Sequence, residues 1–369
     1  MIAAIESVFE RLGGTVEDPP IVMPAALPLE LSGEAVRSRL CIFTDNQNRD
    51  VALRPDLTLP LAVKEVAARK SGRSGQHASR YSARAFRLPV SPEDPYEFVQ
   101  VGCELYGGIS GPDTDAAIYG AVVDASMAGG AKMGLTRFGD LAIFDAFVGA
   151  LGLPRSVEQA LRRAFREDGG ISAIIGNSRR ETNPLLSRLK DVPRSDAEAL
   201  VSEMIDMAGV ELIGQRSLDE IVTRLLEQAS DGSVDKIPDD AQRILTKLVE
   251  VDATYDIAID TLSALAKTAG LNGVDDVLNV LAVRFDRIQE TVTGRVDGAR
   301  FSVTFGRRFT YYDGFVFEIA DHEDSPERPF GAGGRYDQLL SKLSNGSVDE
   351  PAIGGVVRPD RLSSDMRAS

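Results

Sequence analysis

The alternation of apolar and polar residues predicts a pair of antiparallel strands within residues 84–107, joined by a long loop. The side chains of the second strand fall into two sets, with Val99, Val101, Cys103 and Leu105 on one face and Phe98, Gln100, Gly102 and Glu104 on the other. Because successive side chains of a strand point to opposite faces, the first set predicts a buried sheet face. The second set places an amide and a carboxylate on either side of a glycine.

A glycine on a sheet face leaves open space over the backbone, which here predicts a ligand lying over Gly102. Arg87, on the neighbouring predicted strand, would bring a guanidinium into the same space. A solvent-exposed sheet face also carries polar residues, so the hairpin pattern alone favours neither interpretation.

The same logic applies to TYYDGFVFE at 310–318, where a second strand is expected. Tyr312, Gly314 and Glu318 share one face of this strand, and the other face is apolar. Arg307 and Arg308 precede the strand, and two arginines suit a carboxylate or a phosphate, although such pairs commonly serve solubility.

Two shorter segments carry weaker signals. LRPDLT at 53–58 places Arg54, Asp56 and Thr58 at period two where a strand gives way to a helix, which fits a binding position and, equally, a polar turn capped by Thr58. GAGGRYD at 331–337 predicts a glycine-rich turn before a helix, which would suit an anion. It lacks the lysine of a P-loop.

The order of the predicted elements indicates an α+β fold. Strands and helices mix over residues 1–154, helical periodicity dominates residues 155–290, and strands return from residue 299. We therefore predict one domain made of residues 1–154 and 291–369, interrupted by a helical insertion at 155–290. Within it, residues 15–30 are expected to be extended and residues 71–79 to form a flexible link.

Composition narrows the function classes. The net charge of −15 over 369 residues argues against a broad nucleic-acid surface, because phosphate contacts come from lysine and arginine. No apolar run approaches the ~20 residues of a membrane span, and the N-terminus does not resemble a signal peptide, so we expect a cytoplasmic protein. Two cysteines and two histidines, without ligand spacing, predict no metal centre and no bound cofactor.

Taken together, these segments resemble the histidyl-tRNA synthetase family of class II aminoacyl-tRNA synthetases. LRPDLT is similar to that family's LRPEGT, FR…EFVQVGCE to its second class motif, and GRRFTYYDGFVFE to RGLDYYTGTVFE. GGRYD matches at every position, and RPDRL is similar to the GLERL of the third class motif. The resemblance spans residues 53–362 and implies a six-stranded antiparallel sheet flanked by helices, and a self-dimer.

The resemblance also implies a histidine pocket. In that family the positions matching Asp56 and Thr58 face the amino group, and the position matching Arg87 faces the carboxylate side. Arg307 would lie near the reacting carboxylate. The other matching positions would line the pocket: Gln100, Glu104, Tyr311, Tyr312 and Tyr336.

Three departures from the synthetase pattern bear on function. No lysine or arginine occurs from residue 88 through 131, where synthetases place basic residues that hold ATP and tRNA, and Glu93 and Asp94 would repel both. The aspartate of RGLDYY is replaced by Thr310. The chain ends at the last class motif, so we expect no C-terminal anticodon-binding domain.

This combination is similar to the family of ATP phosphoribosyltransferase regulatory subunits, which are synthetase paralogues. The resemblance implies a non-catalytic subunit that forms a hetero-octamer with a short catalytic subunit in the first step of histidine biosynthesis. Such a subunit is needed for the partner's activity and for feedback inhibition by histidine. A divergent histidyl-tRNA synthetase core, or another amino-acid-activating ligase, is the alternative. A structural scaffold with an inactive pocket is a third interpretation.

Overall fold

The computed structural model describes most of the chain. The described residues are 1–92, 94–108, 110–132, 134–166, 169–175, 189, 192–208, 222–223, 225–226, 237–292, 296, 298–307, 311–321 and 328–362. The segments named above that contain Glu93, Arg308, Thr310 and His322 lie partly outside this set.

Twelve strands are numbered here in chain order. They are β1 Thr15–Val16, β2 Val22–Pro24, β3 Ile42–Thr44, β4 Asp50–Leu53, β5 His77–Phe86, β6 Glu97–Tyr106, β7 Leu135–Asp140, β8 Asp252–Thr254, β9 Arg300–Ser302, β10 Phe315–Ala320, β11 Gly331–Arg335 and β12 Ala352–Val357.

The helices of the described residues are called by their ranges. They are Ile2–Glu10, Ala26–Leu31, Glu34–Arg37, Thr58–Lys70, Pro112–Ala128, Leu141–Ala150, Arg155–Phe165, Gly170–Ile175, Arg194–Ala208, Asp239–Val249, Tyr255–Ala269, Asp275–Thr291 and Leu339–Ser344, followed by a 3-10 turn at Pro359–Arg361. None of them is long and apolar enough to span a bilayer.

A nine-stranded sheet with the order β1-β5-β6-β12-β11-β10-β7-β9-β8 organises the fold. The six strands from β5 to β7 in this order pair antiparallel throughout. This confirms the expected α+β class and its six-stranded antiparallel sheet. Three short strands extend the sheet, with β1 and β9 joining in parallel and β8 antiparallel. A separate three-stranded sheet has the order β2-β4-β3.

One face of the large sheet is covered by the helix Pro112–Ala128, which buries its apolar side chains against the central strands. The ring of Tyr119 packs edge-on against Phe317 and Phe138, with centroids 5.1 and 5.2 Å apart. Edge-to-face packing is the favoured arrangement of aromatic pairs. Helix packing on this face leaves the opposite face of β6, β12 and β11 for other contacts.

The chain divides into two compact units. The first comprises residues 1–150 and 247–369, and the second comprises residues 151–246. In the second unit, Leu189, Ala197, Val201 and Val222 form a small buried cluster. The insertion expected at 155–290 therefore ends later in the chain than the compact unit, which ends at residue 246. Residues 247–290, which hold the short strand β8 as well as helices, belong to the first unit, where Arg284 is buried against Asp115 and Asp140.

The segment expected to be a glycine-rich turn is a strand, β11, so the anion-binding turn predicted there is wrong. Its glycines allow close strand packing: a Cβ on Gly333 would lie 2.5 Å from the carbonyl oxygen of Gly354 on β12. Two smaller expectations also fail. Residues 15–30 contain the short helix Ala26–Leu31, and β5 begins at His77, inside the expected flexible link.

Candidate functional site

The face of the sheet opposite the helix Pro112–Ala128 gathers most of the predicted binding residues around Glu104. We call this group the Glu104 cluster; it comprises Asp56, Thr58, Tyr81, Arg87, Gln100, Glu104, Tyr311, Tyr312 and Tyr336. The Glu104 side chain is 1% exposed. Its Oε1 accepts hydrogen bonds from the hydroxyls of Thr58, at 2.7 Å, and Tyr81, at 3.1 Å. Its Oε2 accepts a hydrogen bond from the hydroxyl of Tyr336.

Strand register explains why the carboxylate fits. Glu104 on β6 pairs with Gly354 on β12, and Gly354 pairs with Gly334 on β11. A Cβ on Gly354 would lie 1.6 Å from Oε2 of Glu104, so the carboxylate lies directly over this glycine. Only a residue without a side chain leaves room for the carboxylate here.

The LRPDLT segment ties the start of a helix to β6. Asp56 Oδ1 accepts a hydrogen bond from the amide of Leu59, at 3.0 Å, and Gln100 Oε1 accepts one from the amide of Leu57, at 3.2 Å. The expected capping role of Thr58 is wrong, because its hydroxyl points to Glu104, and Asp56 satisfies the first-turn amide instead. The start of the helix Thr58–Lys70 thus brings Thr58, and Asp56 just before it, to the sheet.

Arg87 lies beside this segment. Its Nε donates a hydrogen bond to the carbonyl oxygen of Pro55, at 2.8 Å, and its guanidinium lies 5.5 Å from the ring centroid of Phe98. Burial lowers the pKa of Arg87, and the nearby Asp56 carboxylate opposes that shift. Of the five N–H donors of the Arg87 side chain, Nε–H is the one that donates to Pro55. Its terminal nitrogens are suited to a ligand carboxylate.

Three tyrosines form the aromatic side of the cluster. The ring centroids of Tyr311 and Tyr312 are 4.7 Å apart, and those of Tyr311 and Tyr336 are 6.0 Å apart. The amide of Tyr336 donates to the carbonyl of Ala352, which fixes this residue against β12. Burial raises the pKa of each of the three hydroxyls, so all of them stay neutral donors at physiological pH.

The electrostatics of the cluster favour a cation. Burial raises the pKa of Glu104 to about 7, partly opposed by its hydrogen bonds to Tyr336, Thr58 and Tyr81. Burial also raises the pKa of Asp56. The Asp56 carboxylate thus faces the guanidinium of Arg87, whereas the Glu104 carboxylate is held by the neutral hydroxyls of Tyr336, Thr58 and Tyr81. Burying carboxylates is costly unless they are paired, and a cationic group placed among them would offset that cost.

The open space expected over Gly102 is absent, and the prediction of a ligand over that glycine is wrong. The ring of Tyr81 on β5 fills it: a Cβ on Gly102 would lie 2.7 Å from the Tyr81 hydroxyl oxygen. Sequence reasoning missed Tyr81 because it lies three residues before the predicted strand. The period-two pattern of that strand, extended towards its N-terminus, would have placed Tyr81 on the same face as Arg87.

Gly314 is also covered by this chain's own side chain, because Arg335 passes 3.3 Å from the Cβ position. Glu318 lies near Arg137 and Arg361, and burial raises its pKa to about 7. Arg307 is half-buried, and its membership of the cluster stays a prediction.

The hairpin loop carries an acid that is bound within the protein. Asp94 lies 3.3 Å from Arg328 and 3.9 Å from Arg39, measured between charged atoms, and it accepts a hydrogen bond from the amide of Val90.

The guanidinium of Arg358 lies 3.5 Å from the ring centroid of Phe98. Asp360 holds that guanidinium through two hydrogen bonds, of 2.9 and 2.6 Å. One face of the Phe98 ring is therefore occupied by a side chain of this protein.

No metal site is expected at these positions. Among the described residues, no three histidine, cysteine, aspartate or glutamate side chains are grouped so as to hold a metal ion.

Comparison with known proteins adds three findings. A family model described as histidyl-tRNA synthetase matches residues 2–207 and 197–362. An ATP phosphoribosyltransferase regulatory subunit of Chelativorans sp. (strain BNC1) is 30% identical over 367 residues, covering 95% of this chain and 93% of that protein. One of Brucella anthropi is 30% identical over 371 residues, covering 96% of each.

Solved structures with the same fold include an ATP phosphoribosyltransferase regulatory subunit/histidyl-tRNA synthetase from Bacillus halodurans C. It is 19% identical with a TM-score of 0.62, covering 98% of this chain and 76% of that chain. The histidyl-tRNA synthetase from Nostoc sp. PCC 7120 is 16% identical with a TM-score of 0.60, covering 99% of this chain and 70% of that chain. At these identities the structural likeness bears on the fold alone.

Proposed function

Since the chain belongs to the ATP phosphoribosyltransferase regulatory subunit family, we propose that it binds histidine and regulates a separate catalytic chain without catalysing a reaction itself. The catalytic partner would be a short-form ATP phosphoribosyltransferase, joined in a hetero-octamer in which this chain pairs with itself. The chain would be needed for the partner's activity and for its inhibition by histidine. A cytoplasmic location is part of the same proposal.

The observation that carries the histidine assignment is the charge pattern of the Glu104 cluster. Free histidine has an ammonium group, a carboxylate and an imidazole with two ring nitrogens. In our proposal the ammonium lies near Asp56 and Thr58, the carboxylate binds the terminal nitrogens of Arg87, and the imidazole faces Glu104 and the tyrosine hydroxyls. Each charged group of the ligand would thus meet a group of opposite charge, which offsets the cost of burying both.

Two observations support the absence of catalysis. The stretch from residue 88 through 131 has no lysine or arginine, so it supplies no side-chain cation to triphosphate or tRNA. Arg358, held by Asp360, covers a face of Phe98 on which a planar base would otherwise be able to stack.

Histidine binding is tested by isothermal titration of L-histidine into the full-length chain, alone and in complex with the short catalytic chain. We expect saturable binding, lost in Glu104→Gln. Glu318→Gln is the matched control, because Glu318 is also a buried carboxylate with a pKa of about 7 but lies three strands from β6 in the sheet order. No binding in either sample would leave the scaffold with an inactive pocket as the better interpretation.

Regulation is tested by co-expressing this chain with the short catalytic chain and measuring ATP phosphoribosyl transfer with and without it. We expect transfer to depend on this chain and to fall when L-histidine is added. A catalytic chain that is equally active alone would overturn the proposal. Histidine-dependent ATP–pyrophosphate exchange by the isolated chain would instead favour an amino-acid-activating ligase.

A further inference from the structure

Tyr81 is the member of the Glu104 cluster that sequence patterns did not indicate. It lies on β5 directly opposite Gly102 of β6, and its side chain is 4% exposed. The ring crosses over Gly102 so closely that a Cβ there would lie 2.9 Å from its Cζ. From this position the hydroxyl donates to Oε1 of Glu104, at 3.1 Å.

The three donors to Glu104 come from different parts of the fold. Thr58 is the first residue of a helix, and Tyr336 follows the end of β11. Tyr81 instead lies within β5, a ten-residue strand paired along its length with the strand that carries Glu104. The donor from β5 is therefore fixed to the same rigid ladder as the acceptor.

We propose that Tyr81 is a positioning residue, which holds the Glu104 carboxylate over Gly354 in the orientation that faces the ligand. The inference rests on the proposed histidine site. It adds that the third donor to Glu104 is supplied by the sheet, and that the glycine at 102 is needed to let the Tyr81 ring cross the strand.

The hydroxyl contributes more than packing. A phenylalanine ring at position 81 would fill the space over Gly102 equally well. The Tyr81 hydroxyl is buried, and a buried hydroxyl without a hydrogen-bond partner is costly, so its bond to Glu104 is needed. Because a hydrogen bond to a carboxylate favours its charged form, loss of the Tyr81 hydroxyl would raise the pKa of Glu104 further above its ordinary value. The carboxylate would then be more often neutral at pH 7, and it would attract a cationic ligand less.

Several other groups face Glu104 and enter any pH dependence. Asp56 and Thr58 lie at the start of the helix, and Tyr106 lies on β6. Tyr336 follows β11, and Tyr311 and Tyr312 precede β10. Burial raises the pKa of each of these tyrosines, which keeps their hydroxyls neutral near pH 7, and burial raises the pKa of Asp56 as well. A direct measurement at Glu104 separates its titration from that of Asp56.

The test compares Tyr81→Phe with Tyr119→Phe in the full-length chain. Tyr119 is a matched control, because it is also a buried tyrosine, but its hydroxyl bonds Thr136 on the helix-covered side of the sheet. Two quantities are measured: the affinity for L-histidine at pH 7 by titration calorimetry, and the titration of Glu104 in ligand-free protein by carboxyl 13C NMR. Glu104→Gln assigns the signal, and circular dichroism checks folding.

We expect Tyr81→Phe to weaken histidine binding about tenfold, which corresponds to about 1.4 kcal/mol, and to raise the titration midpoint of Glu104. Tyr119→Phe should change neither. An unchanged midpoint in Tyr81→Phe overturns the inference, whether or not affinity falls. If wild-type protein binds no histidine, the proposed function fails, and the NMR midpoint alone decides the role of Tyr81.

Discussion

Gly354 lies directly under the Glu104 carboxylate, and Gly102 is similarly covered by the Tyr81 ring. In both cases a polar side chain crosses the backbone of a strand at a distance that a Cβ would prevent. These two glycines therefore serve to position the protein's own polar groups around the cluster.

Gly354→Ala should displace the Glu104 carboxylate, because the new methyl carbon would lie 1.6 Å from Oε2. We expect loss of histidine binding together with destabilisation of about 1–3 kcal/mol, as for other overpacked cores. Titration calorimetry and chemical denaturation measure the two effects.

Gly355→Ala is the control for this substitution. Gly355 is the next residue on β12 and faces the helix side, where a Cβ would lie 2.5 Å from a methyl carbon of Val122. We expect comparable destabilisation with histidine affinity retained. Equal loss of affinity in both variants would contradict the placement of Glu104 over Gly354.

At the scale of elements, the helix Asp275–Thr291 is held to the sheet by a buried ionic network. Arg284 donates to Asp115 and to Asp140, at 2.6 Å each, and Arg335 of β11 donates to Asp115 at 2.9 Å. Arg335 immediately precedes Tyr336, so the network also fixes the end of the strand that delivers a tyrosine to the cluster. Removing one partner of such a network leaves uncompensated buried charge.

Arg284→Leu should therefore destabilise the chain by about 3–5 kcal/mol, since Asp140 would lose the Arg284 guanidinium and Asp115 would lose one of its two cations. Arg287→Leu on the same helix is the control, because its partners Asp113 and Glu290 are exposed, and it should cost less than about 1 kcal/mol. Urea denaturation measures both variants. Similar midpoints for the two would show that the buried network contributes no more than the surface pairs.

At the scale of the whole molecule, the chain has a net charge of −15. Two of its carboxylates, those of Glu104 and Glu318, are buried on the large sheet. Burial raises the pKa of both Glu104 and Glu318 from 4.5 to about 7. Between these values the folded state holds a proton that the unfolded state has released. Stability contributed by each group is thus fully present below pH 4.5 and is lost as the pH rises towards 7.

Glu104→Gln should remove one part of this pH dependence. The free energy of unfolding of the variant, relative to wild type, should rise by an amount of the order of 3 kcal/mol between pH 4.5 and 7 and stay level above. Denaturation at a series of pH values measures it. Parallel curves for the two proteins across that window would mean that Glu104 titrates as an exposed carboxyl does.

Several features followed from sequence patterns alone. The alternation along β6 placed Gln100 and Glu104 on one face, and that face is where the cluster forms. The period-two pattern of LRPDLT brought Asp56 and Thr58 to a strand–helix junction, where both lie. These predictions succeeded because side-chain direction within one element depends on local backbone geometry. The family resemblance added Tyr311 and Tyr336 to the predicted site, and the binding role of every site residue stays a prediction.

Tertiary structure decided what covers each face. Alternation shows that Gly102 points to the polar face, but only strand pairing shows that Tyr81 fills the space above it. Helical periodicity is the same on both sides of residue 246, and only packing assigns residues 247–290 to the first unit. The glycines of 331–335 suit a turn or a close strand equally, and β12 decides between them. Local sequence patterns specify the face to which a side chain points, whereas the group that fills the space on that face comes from residues distant in sequence.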